Sequence, residues 1–166
     1  QKTNMIKTDV CIVGAGPGGA ATALKLSHLG IPCVLVDKAT FPRDKICGDA
    51  ISGKALLVLR RIDPSIIERF EEAAEEQSSV WGIRFGAPNG KQIDVPFRPG
   101  YDPVSDPKQG YVSKRLDFDN RLVEEVKQRD NVQLHLGISI EKYERNPDGY
   151  LLSNAAGSFQ VQARLL

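Results

Sequence analysis

The stretch Asp9 to Asp37, DVCIVGAGPGGAATALKLSHLGIPCVLVD, decides how this chain is read. Asp9 to Val13 is a short apolar run suited to a buried strand, and Gly14 to Gly19 is a glycine-rich turn. From about Gly18 to Leu29, Ala20, Ala23, Leu24 and Leu26 supply small and apolar positions at helical spacing, and Gly30 is a stop signal. Cys33 to Val36 is a second short apolar strand. The succession predicts a β-α-β unit whose strands run parallel with a right-handed crossover. Its apolarity also raises a membrane span, but Lys25, His28, Pro17, Pro32 and the glycines interrupt it, so strand, turn, helix and strand is the better reading.

The turn Gly14-Ala15-Gly16-Pro17-Gly18-Gly19 is a G-x-G-x-x-G set placed between a strand and a helix. Gly14 permits the tight turn, Gly16 lets a pyrophosphate approach the backbone, and Gly19 lets the helix pack closely on the strand. The helix N-terminus aims amide donors and about half a positive charge at the anion. Asp37 stands 18 residues after Gly19, close to the ~20-residue spacing of a ribose-binding acid. Its carboxylate accepts hydrogen bonds from ribose hydroxyls and repels a 2′-phosphate, so NADP is disfavoured here while NAD and the adenosine half of FAD both remain open. Lys38 beside it is a candidate for shielding that charge, against the plainer reading of a solvent-facing lysine.

Outward from this unit, the whole chain of 166 residues accommodates one domain with a real core, or part of a larger protein. Lys plus Arg is 22 and Asp plus Glu is 21, a net charge of +1 with both signs mixed, which argues against a mainly electrostatic nucleic-acid or membrane binder. Hydrophobic residues at 41% and charged residues at 26% are ordinary globular usage. Cys11, Cys33 and Cys47 form no CxxC pair, which suits reduced thiols in a cytoplasmic setting rather than disulfides or a zinc site. The N-terminus shows no signal-peptide pattern.

Lys38 to Gly53 reads as a long irregular loop, and long loops in compact domains are often functional. Lys54 to Arg61 and Pro64 to Glu76 read as helices, the second capped by Asp63. Val80 to Phe85 and Gln92 to Phe97 alternate around Pro88, Asn89 and Gly90, a hairpin signature, with Trp81 and Phe85 expected to pack in a core, against the alternative that they line a substrate pocket. Arg98 to Gly110 reads as a loop. Gly110 to Lys114 reads as a strand, and Asp117 or Phe118 to about Arg129 as a helix. Val132 to Leu136, Ser139 to Glu144, Tyr150 to Ser153 and Ser158 to Ala163 read as further strands. The chain stops at Leu166 while still apolar, which suggests truncation inside a strand.

Two later segments carry a family resemblance. Phe41-Pro42-Arg43-Asp44-Lys45-Ile46-Cys47-Gly48-Asp49 resembles the second FAD-binding segment of flavoproteins related to geranylgeranyl reductases, flavin-dependent halogenases and aromatic-ring hydroxylases. Tyr111-Val112-Ser113-Lys114-Arg115, followed by Phe118-Asp119 and Leu122, resembles the arginine-bearing strand and helix start of the same group. The resemblance implies an α/β, Rossmann-like FAD-binding domain of the glutathione-reductase type, with the N-terminal β-α-β unit and additional antiparallel strands. It places Arg43 near the ribityl and pyrophosphate, the Cys47-Gly48 backbone beside the isoalloxazine, and Arg115 at the pyrophosphate or adenosine side.

The expected cofactor set is therefore Gly14, Gly16, Pro17, Gly18, Gly19, Asp37, Lys38, Arg43, Cys47, Gly48 and Arg115, with FAD as ligand and NAD(P)H as a transient donor. Catalytic residues stay unassigned and no metal site is expected. His28 and His135 fall in no nucleophile or metal pattern, and Cys47 is expected to be a small buried hydrophobe rather than a redox thiol. Asp37 stands where the family more often has glutamate, and the family's later G-D motif and substrate-covering sheet would lie beyond Leu166, so the chain alone is not expected to turn over. The expected function is the N-terminal, FAD-binding part of a geranylgeranyl-reductase-like oxidoreductase acting on a small organic substrate, isoprenoid or aromatic. The alternatives are an aromatic monooxygenase or halogenase, and a non-catalytic module binding NAD or ADP-ribose.

Overall fold

The computed structural model describes residues 5–72, 77–102, 104–106 and 108–166. The chain divides into two compact units, Gln1–Lys45 with Arg115–Leu166, and Ile46–Lys114.

The first unit is built on one six-stranded sheet. Its elements are β1 (Ile6–Val13), α1 (Pro17–His28), β2 (Cys33–Asp37), α4 (Arg115–Lys127), β8 (Val132–Leu136), β9 (Lys142–Asn146), β10 (Gly149–Ser153) and β11 (Gln160–Leu165). The strand order is β8-β2-β1-β11-β10-β9. The expected parallel pairing of β1 with β2 is present, with Val10 opposite Cys33 and Val13 opposite Val36. β8 runs parallel to β2 and β11 parallel to β1, while β10 is antiparallel to both β11 and β9. All five residues of β2 are buried, as a parallel strand with a neighbour on each side requires.

The alternation of β1 sorts its side chains between two layers. Cys11 joins Val34, Val36, Leu152, Val161 and Ala163 in a buried cluster. Ile12 points the other way, its Cγ2 lying 3.3 Å from where a Cβ on Gly19, in the first turn of α1, would stand. On α1 the buried residues are Ala20, Ala23 and Leu24, and on α4 they include Phe118, Leu122, Val123 and Val126, spacings that keep one helical face inward. The two helices pack together, and Ser27 Oγ donates to Asn131 Oδ1 at 2.6 Å, tying the end of α1 to the turn before β8. Helix α4 starts at Arg115, two residues before the first expected position, and β9 and β11 lie two to three residues later than expected. The turn residue Gly149, at φ 120°, pairs with Asn146 and sets that register.

The second unit contains β3 (Ala50–Ser52), α2 (Gly53–Ile62), α3 (Pro64–Glu72), β4 (Gln77–Val80), β5 (Gly82–Gly86), β6 (Gln92–Pro96) and β7 (Gly110–Ser113). Asp63 caps α3 as expected, accepting from Ser65 N at 3.0 Å. The end of the expected helix, Ala73 to Glu76, lies outside the described residues. Strand β3 sits inside the segment read as loop. It is three residues long and owes its existence to pairing with distant β7, Ile51 opposite Tyr111, which local sequence does not announce.

The expected strand Val80 to Phe85 is two strands. β4 pairs with β7, whereas β5 pairs with β6, and the break falls at Trp81, whose carbonyl accepts from Phe97 N at 2.9 Å. Gly82 sustains this switch, because a Cβ there would stand 2.5 Å from the Val95 carbonyl oxygen. Trp81 and Phe85 are 40% and 55% exposed, so the expectation that they fill a core is corrected. The core of this unit is instead Leu56, Leu59, Ile62, Ile66, Ile67 and Phe70 with Tyr111. Tyr111 meets Phe70 edge-on at 5.3 Å and donates its hydroxyl to Glu71 at 2.7 Å.

Candidate functional site

Between β1 and α1 the backbone turns at Gly14, whose φ of 107° is left-handed and suits glycine. Gly14 N donates to the Val36 carbonyl at 2.7 Å, anchoring the turn on β2. A Cβ on Gly19 would meet the Gly14 carbonyl oxygen far inside contact distance, so the expected close packing of helix start on strand is a property of this loop. Gly16 is the N-cap of α1 without a side chain to cap it, and Pro17 occupies the first helical turn. The leading amides of α1 therefore lack an internal acceptor and favour an anion. Gly18 has nothing within 4 Å of an added Cβ.

Asp37, at the end of β2, is buried with 8% exposure. One carboxylate oxygen accepts from Ala15 N at 2.6 Å and the other from Ala39 N at 2.7 Å. It thus pins the glycine turn to the segment after β2, a duty that sequence reading did not assign to it. Each oxygen retains a further lone pair for an external donor. The cavity beside it, about 460 Å3, is bordered by Gly14, Asp37, Lys38, Arg43, Lys45 and Ser139. Lys38 is exposed.

Arg43 lies against the same turn. Its Nη2 is 3.5 Å from where a Cβ on Gly16 would be, its Cζ stands 5.1 Å from the Phe41 ring centre, and its Nη1 is 3.3 Å from Asp119 Oδ2. Arg115 opens α4 and pairs in bidentate fashion with Asp119, Nε to Oδ1 at 2.6 Å and Nη2 to Oδ2 at 2.7 Å. Both guanidinium groups thereby share one wholly buried carboxylate. Asp119 is the residue that sequence reading left without a role. The i,i+4 spacing from Arg115 signals half of this arrangement, but the link to Arg43 is tertiary.

Cys47 and Gly48 belong to the other unit. Cys47 is exposed, which corrects the expectation of a buried hydrophobe, and Gly48 has no atom within 4 Å of an added Cβ. The buried thiols are Cys11, which burial pushes up to about 11, and Cys33, which burial also raises, so neither is a ready thiolate at neutral pH. His135 meets Phe159 edge-on at 5.0 Å, and burial lowers its pKa. Among the described residues no three metal-ligating side chains gather, and no helix is long and apolar enough to cross a membrane.

The chain matches the model of the FAD binding domain over residues 7–165. It is 31% identical over 134 residues to a menaquinone reductase of Mycolicibacterium smegmatis, covering 81% of this chain and 30% of that protein. It is 26% identical to digeranylgeranylglycerophospholipid reductase 1 of Methanosphaera stadtmanae, covering 97% of this chain and 37% of that protein. A flavoprotein/dehydrogenase structure from Cytophaga hutchinsonii shares the fold with a TM-score of 0.76 at 19% identity, over 96% of this chain and 38% of that one. The chain thus spans about a third of the length of these relatives.

Proposed function

Because this chain belongs to the FAD binding domain family, we propose that Gly14, Gly16, Pro17, Gly18, Gly19, Asp37, Lys38, Arg43 and Arg115 hold the cofactor's dinucleotide portion. The observation that carries this reading is the convergence of an uncapped helix start, the bare face of Gly16 and the Arg43 guanidinium on one small region. The amides of α1 and the Arg43 and Arg115 guanidiniums bind phosphate oxygens, since arginine's planar donors match them. Asp37 accepts from the ribose hydroxyls, and its charge repels a 2′-phosphate. FAD, once bound, contributes the redox chemistry that these side chains do not.

For the whole protein we propose a geranylgeranyl-reductase-like activity, with electrons from NAD(P)H or another donor passing to an isoprenoid-bearing substrate. The reductase names of the relatives support it over aromatic monooxygenation or halogenation. Residues 1–166 as the N-terminal part of an FAD-binding domain, and a cytoplasmic setting suggested by the buried thiols Cys11 and Cys33, complete the proposal. The test is the visible spectrum of the purified chain with and without added FAD, compared with Gly16→Val. A bound-flavin spectrum lost on Gly16→Val is expected. A Gly16→Val chain that binds FAD as tightly as the unsubstituted one overturns the proposed cradle.

A further inference from the structure

We propose that Asp119 is the positioning residue of the anion site, holding the Arg43 guanidinium across Gly16 through a buried carboxylate shared with Arg115. The proposal rests on the reading of the glycine turn as a dinucleotide site. A fully buried carboxylate is costly unless it is paired and hydrogen-bonded. Asp119 has no exposure, and Arg115 takes both of its oxygens at 2.6 and 2.7 Å. That pair alone already satisfies the charge of the carboxylate.

The further approach of Arg43 Nη1 to Oδ2, at 3.3 Å, has a different consequence. Arginine is long and rich in rotamers, and a site that orders it before the ligand arrives spares the ligand that cost. Arg43 is held at two places on its guanidinium, by Asp119 at Nη1 and by the Phe41 ring under Cζ. The remaining end, Nη2, is the part that projects beside Gly16, where the helix start also points its amides. Asp119 acts on the ligand only through this arginine. Placing a negative charge directly in a phosphate site would weaken binding, whereas placing it behind the guanidinium aims the positive charge outward.

The experiment compares FAD, ADP and adenosine binding by the 166-residue chain, its Asp119→Asn variant, Arg43→Gln and the double variant, with far-UV circular dichroism as a check on folding. The expected result is a loss of about 10-fold or more in affinity for FAD and ADP in Asp119→Asn, with adenosine unchanged. In the Arg43→Gln background the same substitution is expected to add less than about 2-fold, because its effect runs through Arg43. Equal weakening of adenosine, or full additivity with Arg43→Gln, shows a purely structural Asp119 and overturns the proposal. FAD affinity unchanged in Asp119→Asn overturns it too, while the dinucleotide reading stands. Failure of the unsubstituted chain to bind either FAD or ADP overturns that reading and the proposal together. If Asp119→Asn does not fold, Arg43→Lys decides: it keeps the charge but cannot span from Asp119 to Gly16, so loss of ADP affinity supports the proposal and retention overturns it.

Discussion

Strand β2 and the two strands of the hairpin β5–β6 are each five residues long and each carry β-branched residues, yet every residue of β2 is buried while nearly every residue of the hairpin is exposed. β2 has a parallel partner on each edge and a packed layer on each face. The hairpin has one apolar face, with Ile83 opposite Val95 and Phe85 opposite Ile93, and one polar face, with Arg84 bidentate to Asp94 at 2.6 and 2.8 Å. Strand propensity measures fitness for a pleated surface rather than depth of burial. What covers a strand is decided by other parts of the chain.

The contrast is broken most severely at the glycine turn. Gly19→Val, whose Cβ has no room beside the Gly14 carbonyl, is expected to cost roughly 3 kcal/mol or more and to abolish flavin binding, read by thermal unfolding and the visible spectrum. Gly18→Ala, one position earlier and open, is expected to change stability by about 0.5 kcal/mol or less in the same assay. Equal costs at the two positions would contradict the packing described for β1 and α1.

In the second unit, Tyr111→Phe deletes the hydroxyl donated to Glu71 but leaves the ring against Phe70. A loss of about 1 kcal/mol in urea unfolding is expected. Because burial and the Glu71 bond raise the Tyr111 pKa, the hydroxyl stays protonated at neutral and mildly alkaline pH, and the effect should hold throughout that range.

A smaller effect separates the units by pH. The folded-state pKa of His135 lies below the unfolded one, so the unfolded chain binds the proton first as pH falls. Its contribution is fully present above the ordinary imidazole range near ~6.5 and is lost as pH drops through that range. His135 Nε2 is buried with no hydrogen-bond partner among the described residues, consistent with a neutral ring. Chemical denaturation of His135→Leu between pH 5 and pH 8 should therefore show a shallower acid loss than the unsubstituted chain, about those bounds. The hairpin's charged pair behaves otherwise. Arg84 holds the Asp94 carboxyl below its usual range, but both groups are solvent-exposed, so Arg84→Gln should leave unfolding unchanged in physiological salt.

A similarly small stability change belongs to the hairpin's apolar face. Ile93→Thr is expected to alter unfolding by about 0.5 kcal/mol or less, while lowering the fluorescence of a hydrophobic dye that binds exposed apolar surface. Unchanged dye fluorescence would show that this face is covered in solution.

The β-α-β unit, the glycine turn, the acid after β2 and most helices were legible in the sequence, because each rests on local signals: apolar runs, helical spacing and glycines at turn positions. Arg43 and Arg115 were also legible as site residues, though through resemblance rather than spacing. Tertiary structure alone decided that β3 exists, that Trp81 divides two sheets, and that Trp81 and Phe85 stay exposed, since each depends on which distant strand supplies hydrogen bonds. It alone also turned Asp37 into a clamp on Ala15 and Ala39 and made Asp119 the shared counter-ion of two arginines. A residue's type states what bonds it can form, but a buried carboxylate acquires its partners only when the chain brings distant donors within about 3 Å of it.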